Sequence, residues 1–334
     1  MSFRRLPSML LLVCLLLVSP LLAAAQDARL AAVLDEAAVL APLRTVIVAR
    51  NGTVLVERGY HGASPARPAN IKSASKSVVS ALVGIAIERG LLEGVDQPIA
   101  PLLADRLPEA PDPRMAQVTI GHLLSMQAGL RPTSGRQYGA WVAQRDWVRA
   151  ALAQPFVDAP GGGMLYSTGS THLLSAILVQ VSGKPTLQLA REWLEPQVGF
   201  SIASWDRDPQ GIHFGGNQMA MTPRSLLAFG ELYRNHGRSA AGAQLVPGTW
   251  IAQSWQPRTR SIYTGDGYGY GWFARRVGGH EVRYAWGHGG QMLFIVPTLA
   301  LTVVMTSDER TPAGSGHLAD LLVLLERIVA TQAA

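Results

Sequence analysis

The sequence predicts an α/β (α+β) fold: an antiparallel sheet, formed from N- and C-terminal segments and flanked by helices, with an inserted, mostly helical domain. Two observations predict it. Strand-like runs occur only near the two ends of the chain, and helical periodicity dominates between them. The 334 residues are 48% hydrophobic and 16% charged, which suits one large core and excludes a disordered chain.

Residues 1–25 have the pattern of a secretory signal peptide. Arg4 and Arg5 form a short basic region, an apolar run follows over 9–22, and three alanines before Gln26 provide a small-residue cleavage site. The run is shorter than the roughly 20 apolar residues that a membrane-spanning helix needs. We therefore expect an exported, secreted or periplasmic protein that starts near Gln26. A retained anchor is the alternative, and the general and twin-arginine routes both stay open.

Charge and cysteine content narrow the possible partners. The formal net charge is +6, but the basic residues are scattered, and the only lysines are Lys72, Lys76 and Lys184. A scattered excess gives no footprint for nucleic acid, so we expect no nucleic-acid partner. The single cysteine, Cys14, lies in the leader, so the processed chain would contain neither thiol nor disulfide. The sequence leaves the oligomeric state open.

The N-terminal elements are predicted from local patterns. A helix is expected from Asp27 to Leu40. Two β-rich runs within Thr45–Tyr60 are joined by Asn51-Gly52, a pair that tolerates the positive φ angles of a hairpin turn. Apolar residues with helical spacing then run from Ser73 to Arg89 and stop at Gly90.

Beyond this helix, nearly every periodic segment up to Gln256 reads as helical, with caps at Thr119, Ser182-Gly183 and Thr222-Pro223. Strand character returns near the C-terminus, and a last helix follows. The predicted strands are Gly269–Arg275, Val282–Trp286, Leu293–Val296 and Leu299–Thr306, and the helix is His317–Ala330. We predict a sheet domain from 26–90 and 260–334 and a helical insert over 91–259, with a site in the cleft between them.

Ser73 and Lys76 form the first candidate catalytic pair. Their spacing at the start of a helix places a hydroxyl and an amine on one face. A lysine whose pKa is lowered by burial can deprotonate a serine, which is otherwise a poor nucleophile. The alternative is a serine cap beside a solvated lysine. Ser75 and Ser77 are rival nucleophiles, but neither has an amine three residues later.

Tyr166 and Thr168 follow a glycine-rich loop, 160–163, just before a predicted helix. Such a tyrosine could pass protons between nucleophile and leaving group if a neighbouring cation lowers its pKa from about 10. The structural alternative is a packed tyrosine with a satisfied hydroxyl.

The segment His288-Gly289-Gly290-Gln291 enters a strand near the C-terminus. Glycines at a sheet edge let a ligand approach closely, and exposed N–H groups there could hold an acyl oxygen. The alternative is a bulge with a surface histidine. No Walker A loop, His-Glu-x-x-His motif or Gly-x-Ser-x-Gly elbow occurs, so no metal or cofactor is expected.

The motifs Ser73-x-x-Lys76, Tyr166-x-Thr168 and His288-x-Gly290, in this order, resemble those of the serine β-lactamase and penicillin-binding-protein superfamily. The likeness is strongest to the class C-like branch that includes carboxylesterases, D-aminopeptidases and 6-aminohexanoate-dimer hydrolases. Five segments carry it across most of the chain: Asn70–Ser77, His122–Leu130, Tyr166–Leu174, Met221–Gly230 and Gly289–Pro297.

The resemblance implies a β-lactamase/transpeptidase-like fold with the active site between a sheet domain and a helical domain. It implies Ser73 as the acylated nucleophile and Lys76 and Tyr166 as its proton-transfer partners, with the order of the two undecided. It also implies an oxyanion hole made by the backbone N–H groups of Ser73 and Gln291, and substrate contacts from Thr168, His288, Gly289 and Gly290.

Two departures from the family pattern bear on the substrate. Many members that bind β-lactams have asparagine at the position of Thr168, and a hydroxyl cannot both donate to and accept from a substrate amide in the same way. They often have lysine at the position of His288, and a neutral imidazole binds a carboxylate less well. We therefore predict an exported serine hydrolase of small-molecule esters or linear amides. The alternatives are a β-lactamase or D-alanyl-D-alanine peptidase, and a non-catalytic scaffold or cell-wall binder on the same fold.

Overall fold

The computed structural model describes residues 26–333. The leader predicted over 1–25 lies outside them. Eleven strands occur in the described part: β1 Leu43–Arg50, β2 Thr53–Gly59, β3 Ala69–Asn70, β4 Ser204–Trp205, β5 Met219–Met221, β6 Thr259–Arg260, β7 Gly267–Tyr268, β8 Phe273–Val277, β9 His280–Gly287, β10 Gln291–Val296 and β11 Leu301–Ser307.

Ten α-helices accompany these strands in the described residues: α1 over 26–36, α2 Ser75–Glu88, α3 Ile120–Leu124, α4 Tyr138–Val142, α5 Trp147–Leu152, α6 Thr168–Ser182, α7 Thr186–Leu194, α8 Pro223–Arg234, α9 Gly248–Trp255 and α10 His317–Gln332. Short 3-10 helices lie between them, and that over Lys72–Ala74 directly precedes α2. Among residues 26–333 we find no helix with the length and apolarity needed to cross a bilayer.

Eight strands form one antiparallel sheet in the order β2-β1-β11-β10-β9-β8-β7-β6. Strand β1 pairs with β11, so N- and C-terminal segments of the chain are neighbours in one sheet. The predicted sheet from N- and C-terminal segments is thereby confirmed. The predicted hairpin is also confirmed, because Asn51 and Gly52 join β1 to β2 with φ angles of 50° and 80°.

The alternation of side chains along β1 divides the apolar interior into two layers. Ile47 and Ala49 join a large core that includes the buried residues of α2, α6 and α8. Val46 and Val48 face the other way, into a second core with α1 and α10. Helices therefore cover both faces of the sheet, and α2 places its N-terminal turn beside the ends of β9 and β10.

Helices are the main regular elements between β2 and β6, as predicted, and the predicted caps occur. The Thr119 hydroxyl accepts from the backbone N–H of His122, and the Thr222 hydroxyl accepts from that of Ser225. The predicted strand Gly269–Arg275 is only partly correct, because β8 begins at Phe273 and the short strands β6 and β7 precede it. A further sheet was not predicted: β3, β5 and β4 form a separate three-stranded sheet. Strands of two or three residues are too short to show an alternating pattern, so periodicity could not have found them.

Candidate active site

Ser73 lies in the 3-10 helix that leads into α2, in a half-buried position open to solvent. Within residues 26–333 its backbone N–H donates to no other residue. The hydroxyls of the two rival serines already donate hydrogen bonds to backbone carbonyls. Ser75 donates to Lys72 (2.8 Å) and Ser77 donates to Gly271 (2.6 Å). Both are buried. Ser73 is therefore the accessible nucleophile of the three.

Lys76 lies in the first turn of α2 with only 2% of its surface exposed. Its Nζ is 3.0 Å from Ser73 Oγ, 2.7 Å from the Gly216 carbonyl oxygen and 3.3 Å from Thr168 Oγ1. It forms no salt bridge with a carboxylate in the described part of the chain. Burial without a counter-charge lowers the pKa of Lys76 to about 7. The alternative of a solvated lysine does not fit these positions.

The three neighbours of Lys76 suit a neutral amine, which has two N–H donors and one lone pair. The Gly216 carbonyl can only accept, so it fixes one N–H. When Thr168 Oγ1 accepts the second N–H, the lone pair is left for the proton of Ser73. The arrangement can therefore deprotonate the serine.

Tyr166 lies in the loop before α6, with its ring 5.1 Å from Lys76 Nζ. Burial raises its pKa well above the usual range, although the Ser73 side chain acts on it in the lowering direction. The sequence made a proton-transfer role for Tyr166 conditional on a neighbouring cation that lowers its pKa. In the structure the pKa of Tyr166 is raised instead, because the amine of Lys76 lies over the face of the ring and burial has the largest effect on the phenol. The phenol is therefore protonated at neutral pH and can act as a proton donor.

Thr168 opens α6 and belongs to a group of hydroxyls. Ser134 Oγ lies 2.9 Å from Thr168 Oγ1 and accepts from the Thr168 backbone N–H at 2.8 Å. The adjacent Thr133 and Ser167 hydroxyls are 3.1 Å apart. These contacts attach the 133–134 segment to the start of α6 and so fix the hydroxyl that accepts from Lys76.

His288, Gly289 and Gly290 form the turn between β9 and β10. The turn joins two central strands, so the sequence-based placement at a sheet edge was wrong. His288 is exposed. Gly289 and Gly290 have φ angles of 81° and 99°, which favour glycine. The turn therefore presents His288 to solvent.

Gln291 begins β10, opposite Gly287 of β9. Its side chain is buried and donates to the Ser307 carbonyl (2.8 Å), so any contact with a substrate would come from its backbone. A Cβ on Gly287 would lie 2.1 Å from the Ile71 carbonyl oxygen, which shows how closely this hairpin approaches the segment that carries Ser73.

The structure thus joins Ser73, Lys76 and Thr168 by hydrogen bonds and places the Tyr166 ring beside Lys76. Gly216 and Ser134 belong to the same group and were missed. The only sequence signals were the pair Gly215-Gly216 and a serine in a polar loop, and neither distinguishes a site from an ordinary turn.

The charge of Lys72, beside the nucleophile, is neutralised by a salt bridge. Lys72, next to Ser73, pairs with Glu309 (2.8 Å) and donates to Gln218 Oε1 (3.3 Å).

Two surface concavities of 510 and 620 Å³ contain none of the candidate catalytic residues. In the described residues no three His, Cys, Asp or Glu side chains cluster as potential metal ligands.

Comparison with known proteins agrees with this geometry. The model of the beta-lactamase family matches residues 36–327. The chain belongs to the beta-lactamase family. Members of this family are serine hydrolases, and the resemblance expected from the motifs is confirmed. A sequence search of curated proteins gives no match.

Three solved structures share the fold. EstCE1, a hydrolase with promiscuous acyltransferase activity, has a TM-score of 0.73 and 18% identity, over 91% of this chain and 99% of its own. A protein from Bacillus anthracis assigned as a 6-aminohexanoate-dimer hydrolase has a TM-score of 0.71 and 21% identity, over 86% of this chain and 80% of its own. A penicillin-binding protein homologue from Caulobacter crescentus has a TM-score of 0.72 and 17% identity, over 92% of this chain and 97% of its own. At these identities the likeness shows the fold, and the predicted fold class, an antiparallel sheet flanked by helices, is confirmed.

Proposed function

We propose that this protein cleaves ester or linear amide bonds of small molecules through an acyl-enzyme on Ser73. The observation that carries the proposal is the buried amine of Lys76, which has a pKa near 7 and lies 3.0 Å from an accessible serine hydroxyl. A buried lysine without a counter-charge lowers stability, so its presence beside a nucleophile is typical of a catalytic base.

In the first step Lys76 takes the proton of Ser73 while Oγ attacks the substrate carbonyl carbon. The resulting oxyanion is held by the backbone N–H groups of Ser73 and Gln291. The C–O or C–N bond then breaks, and Tyr166 donates its proton to the leaving alcohol or amine and regains one from Lys76. In the second step Lys76 takes a proton from a water molecule while the water oxygen attacks the acyl carbon. The bond between that carbon and Ser73 Oγ then breaks, and Lys76 returns the proton to Oγ, which releases the acid and free Ser73.

Esters and linear amides are favoured over β-lactams and D-alanyl peptides. β-Lactams and D-alanyl peptides carry a carboxylate, and the candidate site, as far as the structure describes the chain, offers no free cation to bind it. Lys72 is already paired with Glu309, and His288 replaces the lysine that many β-lactam-binding relatives have at its position. Apolar surface borders the site instead. Tyr263, 55% exposed, packs edge-on against Tyr166, with ring centroids 5.8 Å apart, and Ile262 beside it is 63% exposed. These side chains suit an uncharged acyl or leaving group.

We also propose that the protein is exported, because residues 1–25 have the composition of a signal peptide. Fractionation of cells that express the full chain tests this point. A product that starts near Gln26 outside the cytoplasm is the expected result, and a full-length cytoplasmic product contradicts it.

The catalytic proposal is tested by labelling with a fluorophosphonate and by hydrolysis of a panel of short acyl esters, 6-aminohexanoate dimer, D-amino-acid amides and a cephalosporin. We expect Ser73→Ala to abolish labelling and hydrolysis. Ser75→Ala is the matched control, since it removes the neighbouring hydroxyl and should remain labelled. Labelling that persists in Ser73→Ala contradicts the assignment. A preference for the cephalosporin would favour the β-lactamase alternative.

A further inference from the structure

A histidine and an aspartate form a buried pair behind the active site. His172 lies one turn after Thr168 on α6, and its Nε2 is 3.0 Å from Asp208 Oδ2. Both side chains are fully buried. The imidazole is enclosed by Trp141, Trp147 and Phe214, whose ring centroids lie 5.7 to 5.8 Å away. Neither residue was singled out from the sequence, and the catalytic steps above do not use them.

The hydrogen bonds fix the tautomer of His172. The backbone N–H of Gly215 can only donate, and it points at His172 Nδ1 (3.3 Å), so Nδ1 is an acceptor. The proton of the neutral ring is then on Nε2 and is donated to Asp208. The other oxygen of Asp208, Oδ1, accepts from the backbone N–H groups of Gln210 and Ile212, each at 2.9 Å.

Gly215 and Gly216 connect this pair to Lys76. A Cβ on Gly215 would lie 2.3 Å from the Thr171 carbonyl oxygen, so the segment runs directly against α6. Gly216, with a φ of 83°, turns its carbonyl toward Lys76 Nζ at 2.7 Å. Two consecutive glycines have wide conformational freedom, and the bond to His172 restricts it.

We propose that His172, oriented by Asp208, is a positioning residue that holds the Gly215–Gly216 segment so that the Gly216 carbonyl directs the lone pair of Lys76 at Ser73. The inference rests on the proposed function. It goes further, because it assigns kinetic importance to two residues that touch neither the nucleophile nor its base. A purely structural role would affect stability and leave the ionisation of Lys76 unchanged.

Asp208→Asn tests the proposal with almost no change of shape. In the variant, the backbone N–H groups of Gln210 and Ile212 still need an acceptor, so the oxygen of the new side-chain amide faces them. Its NH₂ group then faces His172 Nε2 and donates to it. His172 then carries its proton on Nδ1, facing the N–H of Gly215, and two donors oppose each other. An aspartate-to-asparagine change that imposes the wrong histidine tautomer is strongly deleterious in catalytic triads.

We expect the Asp208→Asn variant to acylate at least tenfold more slowly, measured by fluorophosphonate labelling and by kcat for a p-nitrophenyl ester, with a smaller change in KM. The ammonium form of Lys76 also loses the Gly216 carbonyl as its acceptor, which lowers the pKa of the amine. The rise of the rate with pH should therefore have its midpoint below pH 7. An unchanged rate and midpoint would overturn the proposal. A wild-type protein that neither labels nor hydrolyses esters would instead overturn the proposed function.

Ser175→Ala is the matched control. Ser175 lies on the same helix, is fully buried, and donates to the carbonyl of His213 (2.8 Å), two residues before Gly215. Its loss should lower the melting temperature and leave the rate and the pH midpoint close to the wild type. Equal kinetic losses in both variants would show that any disturbance of α6 has this effect, which contradicts a specific role for His172.

A measurement on the wild-type protein covers the case in which Asp208→Asn does not fold. The ¹⁵N chemical shifts of the His172 ring distinguish the two neutral tautomers. Because Nδ1 accepts from Gly215 and Nε2 faces Asp208, we expect the Nε2–H form. A ring that carries its proton on Nδ1 would overturn the proposal.

Discussion

The amine of Lys76 lies 3.0 Å from the hydroxyl of Ser73 and is buried among groups that carry no formal charge. The same environment that makes the amine a usable base also makes it costly to hold. Activity, pH dependence and stability are therefore linked through one side chain.

The first prediction concerns the pH dependence of acylation. Because the pKa of Lys76 is about 7, the protonated amine predominates below that pH and the neutral base above it. We expect kcat/KM for a p-nitrophenyl ester to rise through a midpoint near pH 7, with hydrolysis by Ser73→Ala subtracted at each pH. A rate that is flat between pH 5.5 and 8.5, or that falls across it, would argue against Lys76 as the base.

The second prediction concerns stability. Folding moves the pKa of Lys76 from 10.5 to about 7, so between these values the unfolded chain binds more protons and stability rises with pH. At pH 7 this charge costs the folded state roughly 3–5 kcal/mol. Lys76→Met removes that cost but leaves the Gly216 carbonyl without its donor. We expect an inactive protein that is about 1–2 kcal/mol more stable in urea unfolding at pH 7.

The advantage of Lys76→Met should shrink as the pH approaches 10, where the wild-type lysine is neutral in the folded state. Urea titrations of both proteins at pH 7 and pH 10 measure the difference. A variant that is less stable than the wild type at both values would show that the amine contributes more through its contacts than it costs by its charge.

The third prediction concerns the packing of α2 against α9. A Cβ on Gly84 would lie 2.2 Å from the indole ring of Trp250, a large and buried side chain. Gly84→Ala should therefore destabilise the protein by roughly 3 kcal/mol, despite the better helix propensity of alanine. Gly139→Ala in α4 is the control, since nothing lies within 4 Å of its Cβ. It should stabilise by about 0.5–1 kcal/mol. Similar melting temperatures for the two variants would contradict this packing.

Much of the fold could be predicted because it depends on local signals. Asn51-Gly52 marks a hairpin, Gly183 with a φ of 68° ends α6, and Thr119 caps α3 by a bond to a residue three positions away. Ser73 and Lys76 were recognisable for the same reason, since both members of the pair lie on one turn of a helix.

The rest of the site depends on contacts between distant parts of the chain. Lys76 and Gly216 are 140 residues apart, and the backbone carbonyl that orients the amine has no side-chain signature. From the sequence, a proton-transfer role for Tyr166 depended on a cation that would lower its pKa. Only the three-dimensional arrangement shows that the amine lies over the ring face and that burial dominates.

The fourth prediction tests the role of Gly216. A Cβ at this position would lie 2.8 Å from Lys76 Cγ and 3.0 Å from its Nζ, on a backbone with a φ of 83°. Gly216→Ala should therefore displace the amine and lower kcat about a hundredfold or more. Gly211→Ala is the matched control. Its φ is 85°, and nothing lies within 4 Å, so it carries the backbone strain without the clash. Equal kcat values for the two variants would remove Gly216 from the catalytic arrangement.

The fifth prediction separates the roles of Lys76 and Tyr166. Burial keeps the phenol of Tyr166 protonated at neutral pH, so it can serve the leaving group but cannot take the first proton. Tyr166→Phe should therefore slow the hydrolysis of an anilide or alkyl amide about a hundredfold or more, because these leaving groups need a proton. A p-nitrophenyl ester releases a stable phenolate and should lose much less. If Tyr166 were the first base, both substrates would lose activity equally, so the ratio of the two losses decides between the two assignments.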